Sequence, residues 1–281
     1  MDFFSELWHS RSREFGVRVV LFSLTPNSRL RTVKIETLAP LKRMEDWFGS
    51  EYYWLLYSHR DCEEAKLFID NLIAFLAISP GSKILDCGCG RGRHSIYLNE
   101  KGFEVTGFDI SEKNIIVAKK DKKENLYFHV HDMRTIFRAN YYDAAVNLFT
   151  SFGYFENDSE NNKVFKSIAG ALKKNGWFVL DFMNAEKERG GLIPSEKLRI
   201  DGIDFEVKRC SENNFIRKEI SVSVQGKKYS FSERVKTYTR TVLENFFTQN
   251  KMEVIHLFGD YQLSKFNEAS SGRLILVGRK I

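Results

Sequence analysis

The sequence predicts an α/β fold: a doubly wound, mostly parallel, seven-stranded sheet with an antiparallel β insertion after the fifth strand. Three observations lead there. Short apolar runs alternate with polar, helix-permitting segments, the pattern of a parallel sheet covered on both faces. Three successive runs end at acidic residues 23 positions apart, Asp86, Asp109 and Asp132. The first run enters a turn, Gly88-Cys89-Gly90-Arg91-Gly92, that opens a helix with His94-Ser95-Ile96-Tyr97-Leu98.

In chain order, residues 1–43 show no sustained period of 2 or 3.6. They are expected to be a poorly organised extension, with Met44 a candidate biological start. Residues 44–79 are expected to form a helical cover. Tyr53, Leu56 and Tyr57 share i, i+3, i+4 spacing, and Ala65, Phe68, Ile69, Leu72, Ile73 and Phe75 give an apolar face. Pro80-Gly81 stops that run before the main domain, residues 80–281. Strands are predicted up to Asp86 and over 103–108, 126–130 and 142–149, then a helix over 161–174 and the fifth strand over 176–184. From about 197 to 237 the period switches to two, predicting antiparallel strands over 203–208, 216–224 and 228–235 with turns at 211–214 and 226–227. A helix over 240–250 and strands over 252–258 and 273–278 complete the chain.

Right-handed crossovers bring the ends of parallel strands to one edge, where open α/β sheets bind ligands. Asp86, Asp109, Asp132 and Asn147 are therefore expected to line one crevice. Glycine suits the turn because it takes positive φ at little cost and lets a ligand touch the backbone. A dinucleotide fingerprint would carry its third glycine where Arg93 stands, so the turn alone implies only a nucleotide-like cofactor.

The combined set, Asp86-x-Gly-x-Gly-x-Gly, then Asp109, then Asp132-Met133-Arg134, resembles the class I S-adenosylmethionine-dependent methyltransferases over roughly residues 80–281. The resemblance implies a Rossmann-like methyltransferase fold closed by the last strand pair, and S-adenosyl-L-methionine as cofactor. It implies that Gly88, Cys89 and Gly90 pack on the methionyl part, that Asp109 holds the ribose hydroxyls, and that Asp132 meets the adenine amino group. Ile110, Met133, Asn147 and Leu148 adjoin these positions and join the cofactor set. Related enzymes carry N-terminal helices as a cover, which makes Tyr53 and Tyr57 ligand-facing candidates, with Arg60 suited to a carboxylate. The chemistry agrees, since an ionised carboxylate only accepts hydrogen bonds and so suits paired hydroxyls or an exocyclic amine. A sulfonium cation is drawn to aromatic faces, which Phe149, Phe152, Tyr154 and Phe155 supply. Asp109, followed by Ile110-Ser111-Glu112, reads equally as a helix cap.

In-line methyl transfer from a sulfonium needs positioning and exclusion of water rather than a metal. A base is needed only where the nucleophile carries a proton. The catalytic candidates are Tyr154, His131, Asp181 and Glu233, with His131 also readable as a residue beside the adenine. The insertion resembles the antiparallel roof of small-molecule methyltransferases, including those acting on amino sugars, so the expected acceptor is an O or N atom of a small molecule. An RNA or protein methyltransferase and a cofactor-binding module without turnover remain as alternatives. Asn147-Leu148-Phe149-Thr150 stands where many base-amino methyltransferases carry an Asn/Asp-Pro-Pro-Tyr motif.

The net charge of +6 is concentrated at the N-terminus, where residues 1–43 hold eight basic residues against four acids. The remainder is nearly balanced, which argues against a nucleic-acid partner. Four cysteines, including Cys87-x-Cys89 with no second pair, predict neither a disulfide framework nor a metal site. No apolar run reaches the roughly 18 residues of a membrane span. Asp2, Glu6 and the interrupted apolar run after them do not suit a signal peptide, so a cytoplasmic setting is expected. Nothing in the sequence indicates an oligomeric state.

Overall fold

A computed structural model describes residues 44–58, 62–121 and 123–281. The expectations for residues 1–43 and for Arg60 lie outside the described residues. The chain begins with three helices, α1 (Met44–Phe48), α2 (Glu51–Leu56) and α3 (Cys62–Leu76). The expected helical segment is thus divided into three, and Ser50 is one reason: its Oγ accepts from Tyr53 N at 3.1 Å and starts α2 afresh.

The parallel body follows as β1 (Lys83–Cys87), α4 (Arg93–Glu100), β2 (Glu104–Asp109), α5 (Glu112–Ala118), β3 (Leu126–Val130), β4 (Tyr142–Asn147), α6 (Asp158–Ala171) and β5 (Leu172–Met183). After the insertion come α8 (Arg240–Gln249), β10 (Met252–Phe258) and β11 (Arg273–Lys280). The seven strands lie in the order β10-β11-β5-β4-β1-β2-β3. β1 to β5 pair in parallel, and β11 runs antiparallel to both β5 and β10. Strand order reverses between β1 and β4, which places a ligand crevice above their carboxyl ends. The central strands are buried on both faces, which is why their sequences read as continuous apolar runs. One face packs Phe152, Phe165, Phe178, Phe182 and Phe247. The other packs Phe68, Ile69, Leu72, Phe103, Val105 and Val179.

The insertion is α7 (Ala185–Gly190) followed by β6 (Ser195–Ile200), β7 (Ile203–Glu212), β8 (Phe215–Val224) and β9 (Lys227–Lys236). These four strands form a separate antiparallel sheet in sequential order. Its apolar face carries Phe205, Val207, Ile220, Val222 and Phe231, and it is closed by Trp47 and Leu56 of α1 and α2. The roof is tied to the body beyond β4, where Lys236 N donates to Gly153 O at 2.9 Å. Asp158 also receives the Tyr238 hydroxyl at 2.7 Å and pairs with Lys236.

Candidate cofactor and acceptor site

The turn after β1 holds Gly88, Gly90 and Gly92 at φ of 76°, 57° and 87°. A side chain at Gly92 would sit 2.6 Å from the Phe128 ring, and one at Gly88 would sit 2.8 Å from Ser151 Cβ and 3.5 Å from the Met133 methyl. The turn thus touches the ends of both β3 and β4, so three strand ends converge on Gly88. The Gly88 and Cys89 amides both donate to Phe108 O, at 2.8 and 2.9 Å, and the turn offers its shape rather than these two donors.

Asp109 ends β2 beside the turn. Its carboxylate accepts from Gly90 N at 3.0 Å and Ser111 N at 2.8 Å. Burial lifts its pKa above the ordinary range, against the Ser111, Gly90 and Asn114 hydrogen bonds, which oppose the rise. Ile110 next to it is 48% exposed, an apolar face at the rim. Asn147 ends β4 fully buried, and its amide donates to Cys87 O at 2.9 Å while its Oδ1 has no partner among the described residues. Leu148 follows it, also buried.

Several sequence-based expectations change here. Asp86 does not line the crevice. It lies beneath the turn, 1% exposed, accepting from Ser95 Oγ at 2.6 Å. Tyr53 and Tyr57 turn toward the roof, and Tyr53 meets Trp47 edge-on with ring centroids 5.5 Å apart. The α2 side chain over the glycine turn is Trp54, which approaches Gly90, donates from Nε1 to Asn114 Oδ1 at 3.3 Å and lies under the Arg91 guanidinium at 4.5 Å. Asp132 is clasped by Arg134, which donates from its backbone N, Nε and Nη2 and also pairs with Glu160. Arg134 holds the Asp132 carboxyl below its usual range. A carboxylate has room for about four donors, so the clasp leaves little capacity for an adenine amine.

The catalytic candidates do not share a single site. His131 faces Phe108 and Phe137 at about 5 Å, and its Nε2 lies 2.9 Å from Thr135 O. Asp181 is 0% exposed and consumed by structure: it binds Arg273 Nε at 2.7 Å, Phe149 N at 2.8 Å and the Tyr261 hydroxyl at 3.2 Å. That clasp holds Phe149 and Thr150, two consecutive non-glycine residues at φ of 55° and 59°, just past β4. Tyr154 packs edge-on against Phe48 at 5.2 Å. Glu233 lies on the roof, near Trp47 and Lys218.

His94, which the sequence reading did not single out, lies directly after the glycine turn. Its ring packs 5.1 Å from Phe149, and its Nε2 is buried without a partner among the described residues. Burial, aided by the charge of Arg93, lowers its pKa to about 3 and keeps the imidazole neutral.

Residues 78–228 match the family described as methyltransferase domain. The chain belongs to that family. It is 25% identical, over 70% of its length and 82% of the relative, to a dTDP-3-amino-3,4,6-trideoxy-alpha-D-glucopyranose N,N-dimethyltransferase of Streptomyces venezuelae. It is 28% identical to rabbit (Oryctolagus cuniculus) glycine N-methyltransferase over 47% of its length and 50% of the relative. Measured against that enzyme and against the Bacillus subtilis methyltransferase YqeM, of which it covers 44%, the chain spans about half the relatives' length. A solved S-adenosylmethionine-dependent methyltransferase from Clostridium acetobutylicum superposes with a TM-score of 0.71 at 16% identity, covering 82% of this chain and 96% of that one. The fold is therefore the Rossmann-like fold of class I methyltransferases, and the family cofactor is S-adenosylmethionine.

The residues present fit that cofactor. Asp109 supplies a carboxylate at the end of β2 beside the glycine turn, Ile110 an exposed apolar rim, and the buried Asn147 Oδ1 an acceptor with no donor among the described residues at the end of β4. Cys87 and Cys89 beside them are buried thiols whose pKa burial pushes well up, so they act as fillers of the turn rather than as nucleophiles.

Proposed function

We propose that this methyltransferase acts on a small-molecule acceptor, at a nitrogen or oxygen atom, held between the crevice at the ends of β1 and β4 and the antiparallel roof. The carrying observation is that the roof joins the body at the segment just beyond β4, through Lys236 and Gly153, while α1 and α2 bridge the roof to the glycine turn through Trp47, Tyr53 and Trp54. An acceptor placed there is screened from water, which strengthens every polar contact made to it. The bound cofactor supplies an electrophilic methyl group on a sulfonium. Asp109 and Asn147 would hold it, Asp86 and Ser95 would set the turn, and Asp181 with Arg273 would fix the Phe149–Thr150 backbone at the acceptor edge. Positioning of this kind accounts for up to about 7–11 kcal/mol of a barrier when geometry is ideal. The amino-sugar methyltransferase matched over 70% of this chain supports a compact, polar acceptor.

Calorimetric titration with S-adenosylhomocysteine, with NAD alongside, tests the reading. Micromolar binding of the former alone is expected. Asp109→Asn should weaken that affinity by roughly tenfold to a hundredfold, in line with about 1.5–3 kcal/mol for a hydrogen bond to a charged group. An unchanged affinity in a folded variant would leave Asp109 as a clasp for Gly90 and Ser111 only.

A further inference from the structure

β9 alternates, and its buried face presents Phe231, Glu233 and Val235 in turn. Phe231 packs on Trp47 with ring centroids 4.9 Å apart. Val235 closes on Gly153, its Cγ1 3.3 Å from where a β-carbon would stand. Glu233 therefore sits on the strip running from α1 to the segment past β4. It is 6% exposed, between Phe231 and Val235 on its own strand, on a face that also carries the charged Lys218 directly across on β8 and Arg209 beyond it on β7, the latter paired with Glu196. A buried charge is costly unless it is well paired.

The pairing is loose. Lys218, directly across on β8, approaches Oε1 at 3.3 Å, and Trp47 Nε1 approaches Oε2 at 3.3 Å. Charge-assisted hydrogen bonds run at about 2.7–2.9 Å, the distances Asp181 achieves with Arg273 and Phe149 N. A carboxylate takes about four donors, and Glu233 has two long ones. Lys218 Nζ also lies 3.2 Å from the Tyr57 hydroxyl. Tyr53 stands next to Tyr57 at 4.9 Å, and Phe48 links Tyr53 to Tyr154 at 5.3 and 5.2 Å. An under-bonded carboxylate among aromatic rings suits an amine acceptor. N–H donors of the neutral amine meet the carboxylate, and the nitrogen lone pair forms the C–N bond as the S–C bond of the sulfonium breaks. Aromatic faces favour the positive charge that moves to nitrogen, and the methylated ammonium then gives its proton to solvent.

We infer that Glu233, steadied by Lys218 and Trp47, is the acceptor-recognising residue, and that the acceptor is a compact amine rather than an alcohol. This rests on the methyltransferase reading and narrows its acceptor to nitrogen. The test uses the full chain and three matched probe pairs: 3-amino-3-deoxyglucose with glucose, 2-amino-2-deoxyglucose with glucose, and benzylamine with benzyl alcohol. Methylation is read by mass, and binding by calorimetry on protein saturated with S-adenosylhomocysteine. At least one amine is expected to bind and be methylated while its alcohol partner is not. Glu233→Gln should lower kcat/KM for that amine at least tenfold, chiefly through KM, with S-adenosylhomocysteine affinity within twofold of wild type and partial recovery in Glu233→Asp. Lys218→Met, which keeps Glu233, should reduce the preference of amine over alcohol, and it replaces Glu233→Gln if that variant fails to fold. Wild-type kinetics in a folded Glu233→Gln, or equal methylation of the alcohols, overturns the assignment and leaves methyl transfer standing. Failure of every amine to bind or react overturns it as well. Only failure of S-adenosylhomocysteine itself to bind would overturn the methyltransferase reading beneath it.

Discussion

Three buried carboxylates, Asp86, Asp181 and Glu233, differ in how fully they are bonded. Asp181 is saturated, Glu233 is under-bonded, and Asp86 has the Ser95 hydroxyl. Burial pushes Asp86 up to about 6 from 3.8, opposed by the Ser95 hydrogen bond. The sign follows from which state holds the proton. Between pH 3.8 and 6 the folded protein keeps a proton that the unfolded chain releases, so this group's contribution to stability falls as pH rises through that window. Asp86→Asn removes the penalty and keeps an oxygen for Ser95. Its stability relative to wild type should therefore improve from pH 4 to pH 7, by about 3 kcal/mol at most. Urea midpoints of both proteins at those two pH values check this, and a constant difference would refute the assignment. The place of Asp109 at the end of β2 beside the glycine turn was legible because the turn precedes it by one strand. The partners of Asp181 were not, since Arg273 lies 92 residues on and Tyr261 lies 80 on. Trp54 was missed because a tryptophan beside two tyrosines gives no sign of which ring will face the turn.

At the scale of elements, the regular strands were readable because burial on both faces leaves a dense apolar run. β6 was not, because it is an edge strand with no buried residue and its polar positions dilute the alternation. α6 starts at Asp158 rather than at 161, because the Asn157 side chain caps it through Glu160 N at 2.9 Å. The turn past β4 was the least readable element. Nothing in Phe149-Thr150 announces two left-handed residues, a conformation that costs a non-glycine residue of order 1–3 kcal/mol. It persists because Asp181 accepts from Phe149 N, and because Arg273 reaches both Asp181 and Thr150 Oγ1, the latter at 2.9 Å. Arg273→Leu would leave the Asp181 charge buried without its ion-pair partner. A loss of about 3–5 kcal/mol is expected, readable by urea unfolding. Methyl transfer should fall more than S-adenosylhomocysteine affinity does, because the clasp fixes the β4 turn rather than Asp109.

The whole molecule has two kinds of core. The body is built around the seven-stranded sheet, whereas the roof has a separate cluster completed by Trp47 and Leu56 from the start of the described chain. Ile216 of β8 and Val235 of β9 belong to the body's core, but the rest of the roof is buried in its own cluster and should open separately, since local stability follows local burial. Trp47 is 0% exposed and contacts both Phe231 and Tyr53. Its truncation to alanine should cost about 3–5 kcal/mol by loss of burial and creation of a cavity. That loss belongs to the roof. Amides of β7 and β8 should exchange hydrogen about a hundredfold faster or more in Trp47→Ala, since each 1.4 kcal/mol is a factor of ten. Amides of β1, β4 and β11 should keep their wild-type rates. Uniform acceleration across both sheets would instead mean that roof and body unfold as one unit. In that case α1 would stabilise the whole enzyme, and the acceptor site could not open without loosening the cofactor crevice.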